Sequence, residues 1–445
     1  MNIKRAKQEI KDTLEAYLLK DEMGHYLLPP VRQRPVLLLG APGIGKTQIM
    51  EQIADECQVG LVSYTITHHT RQSAIGLPFI VQKTYGGAVY DVTEYTMSEI
   101  VASIYDTMET TGQKEGILFI DEINCVSETL APAMLQFLQC KTFGNHKIPE
   151  GWIIVAAGNP PEYNRSVREF DVVTMDRIKK IEVEPDFDVW KEYAYQAGIH
   201  QAVISYLSAR TSWFYQMEST VDGRLFATPR GWEDLSRILD IYERLGKTVD
   251  REVVVQYIQY PKIARDFAGY LELYHKYQED YQVDEILAGK NCGRFMKKLQ
   301  AAGFDERLSV ISLLLSRLNR EFKRRYLEEQ ELKDEFQCLK AKKAESGSTE
   351  QYEQEKAAFL ERKQNAEEAI SSAGAMLERA FDFLEGAFPV GQEMVVFLTE
   401  LNVSFYSVSF LQKYECSRYY SYNDQLMLDG KERAIRRRID ALSQI

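Results

Sequence analysis

The run Gly40-Ala41-Pro42-Gly43-Ile44-Gly45-Lys46-Thr47 is a full match to the glycine-rich loop that cradles phosphate. In that chemistry, successive backbone N–H groups surround an anion, a lysine reaches the β- and γ-phosphates, and a hydroxyl ligates Mg²⁺. Lys46 and Thr47 supply the last two groups. A second constellation is Ile117-Leu118-Phe119-Ile120-Asp121-Glu122, four apolar residues ending in two acids. Asp121 suits the Mg²⁺ shell, and Glu122 suits the polarisation of an attacking water. A third apolar run, Trp152 to Ala157, leads through Gly158 to Asn159, whose amide can hydrogen-bond a γ-phosphate or the water that attacks it.

These side chains need a scaffold that carries them to one place. Val36-Leu37-Leu38-Leu39 reads as a buried strand entering the loop, and the stretch from Lys46 to about Cys57 reads as the helix that leaves it. Strand, loop and helix in that order turn a helix N-terminus toward the anion. Short apolar runs ending in Asp121 and in Asn159 read as further parallel strands, whose carboxyl ends are where open α/β sheets bind ligands. No Asn-Lys-x-Asp tetrapeptide for reading guanine occurs, so the base expected is adenine.

Composition bounds the rest. The 445 residues exceed one core, so two or three domains are expected. No apolar stretch reaches the ~20 residues of a membrane span, and residues 1–22 lack a signal-peptide core. Six scattered cysteines without a CxxC pair predict reduced thiols in a cytoplasm. A net charge of −12 argues against a broad, sequence-independent grip on nucleic acid. His68-His69 has no third ligand in view, and adjacent residues on an extended segment point opposite ways, so no metal is assigned to it.

Together these motifs resemble the AAA+ ATPases, and more narrowly their MoxR-like branch. Two probable hairpins, Gly76 to Thr96 and Thr142 to Pro149, are similar to the two insertions of that branch, which face the central pore of a ring. The resemblance covers about residues 30 to 300. It implies an α/β P-loop αβα sandwich with a parallel sheet in residues 1–185 and a helical lid in 186–300, while the residue pattern of 301–445 reads as a helical C-terminal region. It further implies that Met175-Asp176-Arg177-Ile178 carries the arginine finger and that Ala227-Thr228-Pro229-Arg230 is a second sensor. Arg165 and Arg168 are rival fingers, and an ion pair with Asp176 or with acids on a neighbouring helix is the alternative role for Arg177. Thr228 reads as an N-cap and Pro229 as the first helical residue, so Arg230 lies in a first turn against the helix dipole. Whether Arg230 serves its own subunit's nucleotide or a neighbour's is left open.

Residues 186 to about 237 read as the start of the lid's helices. The tyrosines Tyr257, Tyr260, Tyr270, Tyr274, Tyr277 and Tyr281 read as lid packing rather than a platform for bases. Residues 316–345 and 350–386 have three-to-four apolar spacing broken at Ser346-Gly347-Ser348-Thr349, a helical hairpin about 45 Å long. It reads equally as an antiparallel coiled coil or as packing against the lid. A charged run, Lys431 to Arg438, closes the chain. The reading that results is an ATP- and Mg²⁺-dependent hydrolase working as a homo-oligomeric, by resemblance hexameric, ring. It would remodel protein complexes, with a von Willebrand factor A domain protein as the implied partner. A nucleic-acid motor of helicase or restriction type, and a nucleotide-gated scaffold, are the other classes weighed.

Overall fold

The computed structural model describes residues 1–425 except 69, 144, 145, 164–169, 222, 347–349, 389 and 390. The chain divides into two compact units, Met1–Val189 with Thr228–Gly231, and Trp190–Ala227 with the chain from Trp232 onward.

The first unit begins with helix α1 (Ile3–Leu18), capped by the Asn2 side chain. Then follow β1 (Val36–Gly40), α2 (Gln48–Cys57), β2 (Gly60–Thr65), α3 (Arg71–Ile75), β3 (Pro78–Tyr85), β4 (Ala88–Tyr95) and α4 (Glu99–Thr111). After these come β5 (Gly116–Asp121), α5 (Ala131–Cys140), β6 (Thr142–Phe143), β7 (His146–Lys147), β8 (Trp152–Gly158), α6 (Val172–Met175) and β9 (Lys179–Val183). Five strands form a parallel sheet in the order β2-β5-β8-β1-β9. The three central strands are the three apolar runs of the sequence. They are buried nearly throughout, as strands covered by helices on both faces must be. Their apolar side chains join those of α4 and α5 in one core that includes Leu118, Ile120, Phe137, Trp152 and Ile154.

Register sets what happens at the carboxyl edge. Leu39 pairs with Gly158, Ile120 with Ala156, and Thr65 with Asp121. The glycine-rich loop, the two acids and Asn159 therefore leave the sheet side by side. Both expected hairpins form. β3 and β4 pair antiparallel between β2 and α4, and β6 and β7 pair just before β8. The first hairpin is exposed along much of its length, including Ile80, Val89 and Tyr90. Helix α1 is tied down by Lys179, whose ammonium donates to Glu9 and Thr13, both at 2.7 Å.

The second unit runs α7 (Phe187–Ala197), α8 (Gln201–Ala209), β10 (Gln216–Thr220), β11 (Gly223–Ala227), α9 (Pro229–Arg244), α10 (Arg251–Tyr257) and α11 (Pro261–Tyr281). It continues with α12 (Val283–Leu287), α13 (Cys292–Gln300), α14 (Phe304–Ser346), α15 (Glu350–Ala387), α16 (Gln392–Val403) and α17 (Phe405–Leu411). α7 starts in the first unit, and so does the first turn of α9. The region read as uniformly helical contains an antiparallel hairpin, β10–β11. The sequence holds a signal for it, since the dipeptide Asp222-Gly223 between two short alternating runs favours a hairpin turn, although Asp222 itself lies outside the described residues. The regions expected as lid and C-terminal extension share one unit because α14 packs on α8, α11 and α12.

The tyrosines serve that packing. Tyr274 and Tyr281 are buried, and the Tyr281 hydroxyl donates to Glu306 at 2.7 Å. On α14 and α15 the two roles expected of the helical hairpin are divided by position. Val310 to Phe322 and Ala373 to Ala387 carry dense buried side chains, whereas Leu327, Phe336 and Leu360 are about half exposed. Phe336 meets Phe359, Arg362 meets Glu335 at 2.9 Å, and Lys342 meets Glu355 at 2.8 Å, fixing the antiparallel register of the distal halves. Residues 347–349 of the expected break, the run Lys431 to Arg438, and His69 lie outside the described residues, as do Arg165 and Arg168.

Glu243 on α9 accepts from two imidazoles, His200 Nε2 at 3.1 Å and His275 Nε2 at 2.9 Å. Those hydrogen bonds hold its carboxyl far below the usual range. Asp240 lies close enough to complete a three-ligand cluster with His200 and Glu243. Nδ1 of His200, however, accepts the Ala202 N–H at 3.2 Å. The ring proton must then sit on Nε2, facing Glu243, which is a donor arrangement and not a ligand set. Among the described residues no single helix is long and apolar enough to cross a membrane.

Candidate nucleotide-binding and hydrolysis site

The loop Gly40 to Thr47 joins the buried end of β1 to α2. Gly43 and Gly45 have φ of +77° and +90°, angles that a side chain strongly disfavours. Gly43 also faces the start of α9, where an added Cβ would lie 3.3 Å from Thr228 and 3.4 Å from the Arg230 Cβ. Inside the loop, Lys46 is only 8% exposed. Its ammonium donates to the carbonyls of Gly40 and Ala41, both at 2.8 Å, and to Asn159 Oδ1 at 2.9 Å.

Burial pushes the Lys46 ammonium down to about 8, with Arg230 adding to the shift and Asp121 and Glu122 opposing it. This gives a signed pH prediction. Lys46 of the free chain loses its proton near pH 8, whereas phosphates beside it hold the proton on. Affinity for ATP should therefore be full below pH 8 and fall by about tenfold per pH unit above it. Titrations of nucleotide binding at pH 7 and pH 9 measure this. A Lys46→Arg control, whose guanidinium stays charged, should lack the step. A flat wild-type profile would show that Lys46 of the free chain keeps its proton through this range.

Thr47 Oγ1 donates to Asp121 Oδ2 at 2.7 Å, and the Glu122 N–H donates to Asp121 Oδ1 at 2.9 Å. Hard oxygens from one hydroxyl and one carboxylate, meeting at the mouth of a phosphate loop, fit Mg²⁺, which takes few protein ligands and keeps its waters. Glu122 lies in the left-handed region at φ 56° and ψ 34°, unusual for a residue with a side chain. That turn swings the glutamate off the line of β5. Its Oε2 accepts from Thr67 Oγ1 at 3.0 Å. Thr67 carries no motif, and only the pairing of β2 with β5 brings it to Glu122.

Asn159 is fixed from both ends, its Oδ1 on Lys46 and its backbone carbonyl accepting from Asn124 Nδ2 at 2.7 Å. Beside it a cavity of about 550 Å³ opens, lined among others by Gly40, Ala41, Asn124, Asn159 and Glu182. Thr228 caps α9 as the sequence suggests, its hydroxyl accepting the Gly231 N–H at 3.2 Å, so Arg230 lies in the first helical turn. Arg230 is exposed and sits over the loop of its own chain.

Arg177 is placed differently. It is exposed after the short helix α6, and its guanidinium donates to Gln139 Oε1 at 2.5 Å. Among the described hydrogen bonds none joins it to the loop, to Asp121 or to Glu122, and none to Asp176. The side chain of His68, like all of His69, is not described.

Residues 35–178 match the family model of the AAA domain (dynein-related subfamily). That segment, about a third of the chain, is similar to an AAA domain. The match spans the phosphate loop, the two acids, Asn159 and Arg177, and ends before Arg230. The match thus covers the same stretch in which the glycine-rich loop and strands β1, β2, β5 and β8 of the parallel sheet lie. No curated protein matches the chain. Among solved structures, a mutant RuvB from Thermotoga maritima overlays with a TM-score of 0.31 and 16% identity, over 58% of this chain and 69% of its own. An overlay that loose carries no inference.

Proposed function

We propose that the chain is a MgATP-hydrolysing AAA+ motor of the MoxR-like branch that remodels protein complexes. The observation that carries the reading is the single cluster of Lys46 with Asn159, Thr47 with Asp121, and Glu122 at a strained turn beside them. The loop amides and Lys46 hold the phosphates. Thr47 and Asp121 hold Mg²⁺, which when bound neutralises charge on the phosphate oxygens. Glu122 orients the attacking water and takes its proton. Asn159 contacts the γ-phosphate, and Arg230 adds a cation from the same chain.

The finer assignment rests on two hairpins, β3–β4 and β6–β7, at the places where the MoxR-like branch carries its insertions. The exposed apolar side chains of the first suit contact with protein. By the same resemblance, Arg177 reaches the nucleotide of a neighbour in a ring, and a protein with a von Willebrand factor A domain is the expected partner.

Phosphate release measured with MgATP, with MgGTP and without metal tests the chemistry. Hydrolysis selective for ATP and dependent on metal is expected. Pull-down with a Glu122→Gln variant locked in its ATP state tests the remodelling role. Recovery of nucleic acid together with stimulation of ATPase by DNA would replace it with a nucleic-acid motor.

A further inference from the structure

We propose that Asn124 is a positioning residue that locks Asn159 onto the γ-phosphate and ties it to the turn carrying Glu122. This rests on the reading of Asn159 given above. Asn124 lies in the 3₁₀ turn Ile123–Cys125, directly after Glu122. It is 4% exposed, and its Nδ2 donates 2.7 Å to the Asn159 carbonyl. The strand end is shaped to admit it. A Cβ on Gly158 would come 2.5 Å from Asn124 Oδ1 and 2.8 Å from its Cγ, so any larger residue there would expel the amide.

The other half of the amide gains nothing in return. Asn124 Oδ1 is buried with no hydrogen-bond partner. Turning the amide over would set that oxygen against the Asn159 carbonyl and lose the one bond it makes. A buried polar group satisfied on one side only is a poor packing choice, since an apolar residue of the same shape would leave nothing unpaired. What the amide adds is the donated bond. It holds the Asn159 backbone while Lys46 holds the Asn159 side chain. Glu122 and Asn159 come from two different strands, β5 and β8, and this bond joins their loops. Whatever displaces Asn159 must therefore pull on the turn that aims Glu122.

The test uses the full chain. Asn124→Leu keeps the volume and removes the donor, and it should lower kcat about tenfold, the size of one positioned hydrogen bond, with KM and MgATP affinity unchanged within about threefold. Asn124→Asp, which keeps the shape but sets a carboxylate against a carbonyl, should do the same and serves if the leucine variant does not fold. The deciding readout is a double-mutant cycle with Asn159→Ala. Loss at Asn124 should shrink once Asn159 is alanine, because the part acting through the Asn159 side chain is then gone. Additive losses, or an equal loss in affinity and turnover, would make Asn124 a purely structural residue. If Asn159→Ala alone leaves kcat unchanged, the reading of Asn159 itself fails, and this proposal with it.

Discussion

Arg177→Ala should cut ATP turnover roughly 10³-fold while leaving nucleotide binding largely intact, the effect of removing an arginine that meets only the transition state. The geometry makes this a sharp expectation. Arg177 is exposed, donates to a neutral glutamine, lies close enough to Asp171 to help lower its carboxyl, and among the described hydrogen bonds has none to its own chain's phosphate loop. A cation so placed is available to a different copy. Mixing Arg177→Ala with Lys46→Ala subunits tests that role directly. Each variant is dead alone for a different reason. An interface joining an intact loop to an intact Arg177 is competent, so mixed assemblies should regain part of the activity. Co-assembly without recovery would remove the finger role. Full activity from a monomer would remove the ring altogether.

Glu122→Gln should bind MgATP normally and hydrolyse it at least ~10²-fold more slowly, the scale of a lost general base. The amide keeps the shape and the donated bond from Thr67 but cannot take a proton. Lys46→Ala is the contrasting variant, because it removes a buried ammonium at the phosphates and should lose binding first. Nucleotide affinity and single-turnover rate, measured on both, separate the two roles. Equal loss of binding in both variants would mean that Glu122 holds the metal instead. The left-handed turn at Glu122 sharpens the comparison, since Gln adopts it at no greater strain than Glu.

Much of the site is legible in the amino-acid sequence because its chemistry is local. Lys46 and Thr47 sit in one loop whose glycines and flanking strand are contiguous in the chain. Asp121 and Glu122 end one apolar run, and Asn159 ends another. Even the cap at Thr228 follows from its neighbour Pro229. The hairpin β10–β11 is harder to read although its turn signal is present, because the surrounding helical periodicity outweighs two short strands. Arg177 stands out by its motif, but its separation from the rest of the cluster has no local signature.

By itself the sequence determined which side chains could act and the strands that carry them, since a buried parallel strand must be apolar and must end where polarity begins. The tertiary structure alone decided who meets whom at the sheet edge. Thr67 reaches Glu122 and Asn124 reaches Asn159 only because β2 lies beside β5 and β5 beside β8. Arg230 lies beside this chain's loop only because α9 begins against Gly43. Strand order and close approach are properties of long-range packing, where residues far apart in the chain share one space, and no local pattern encodes them.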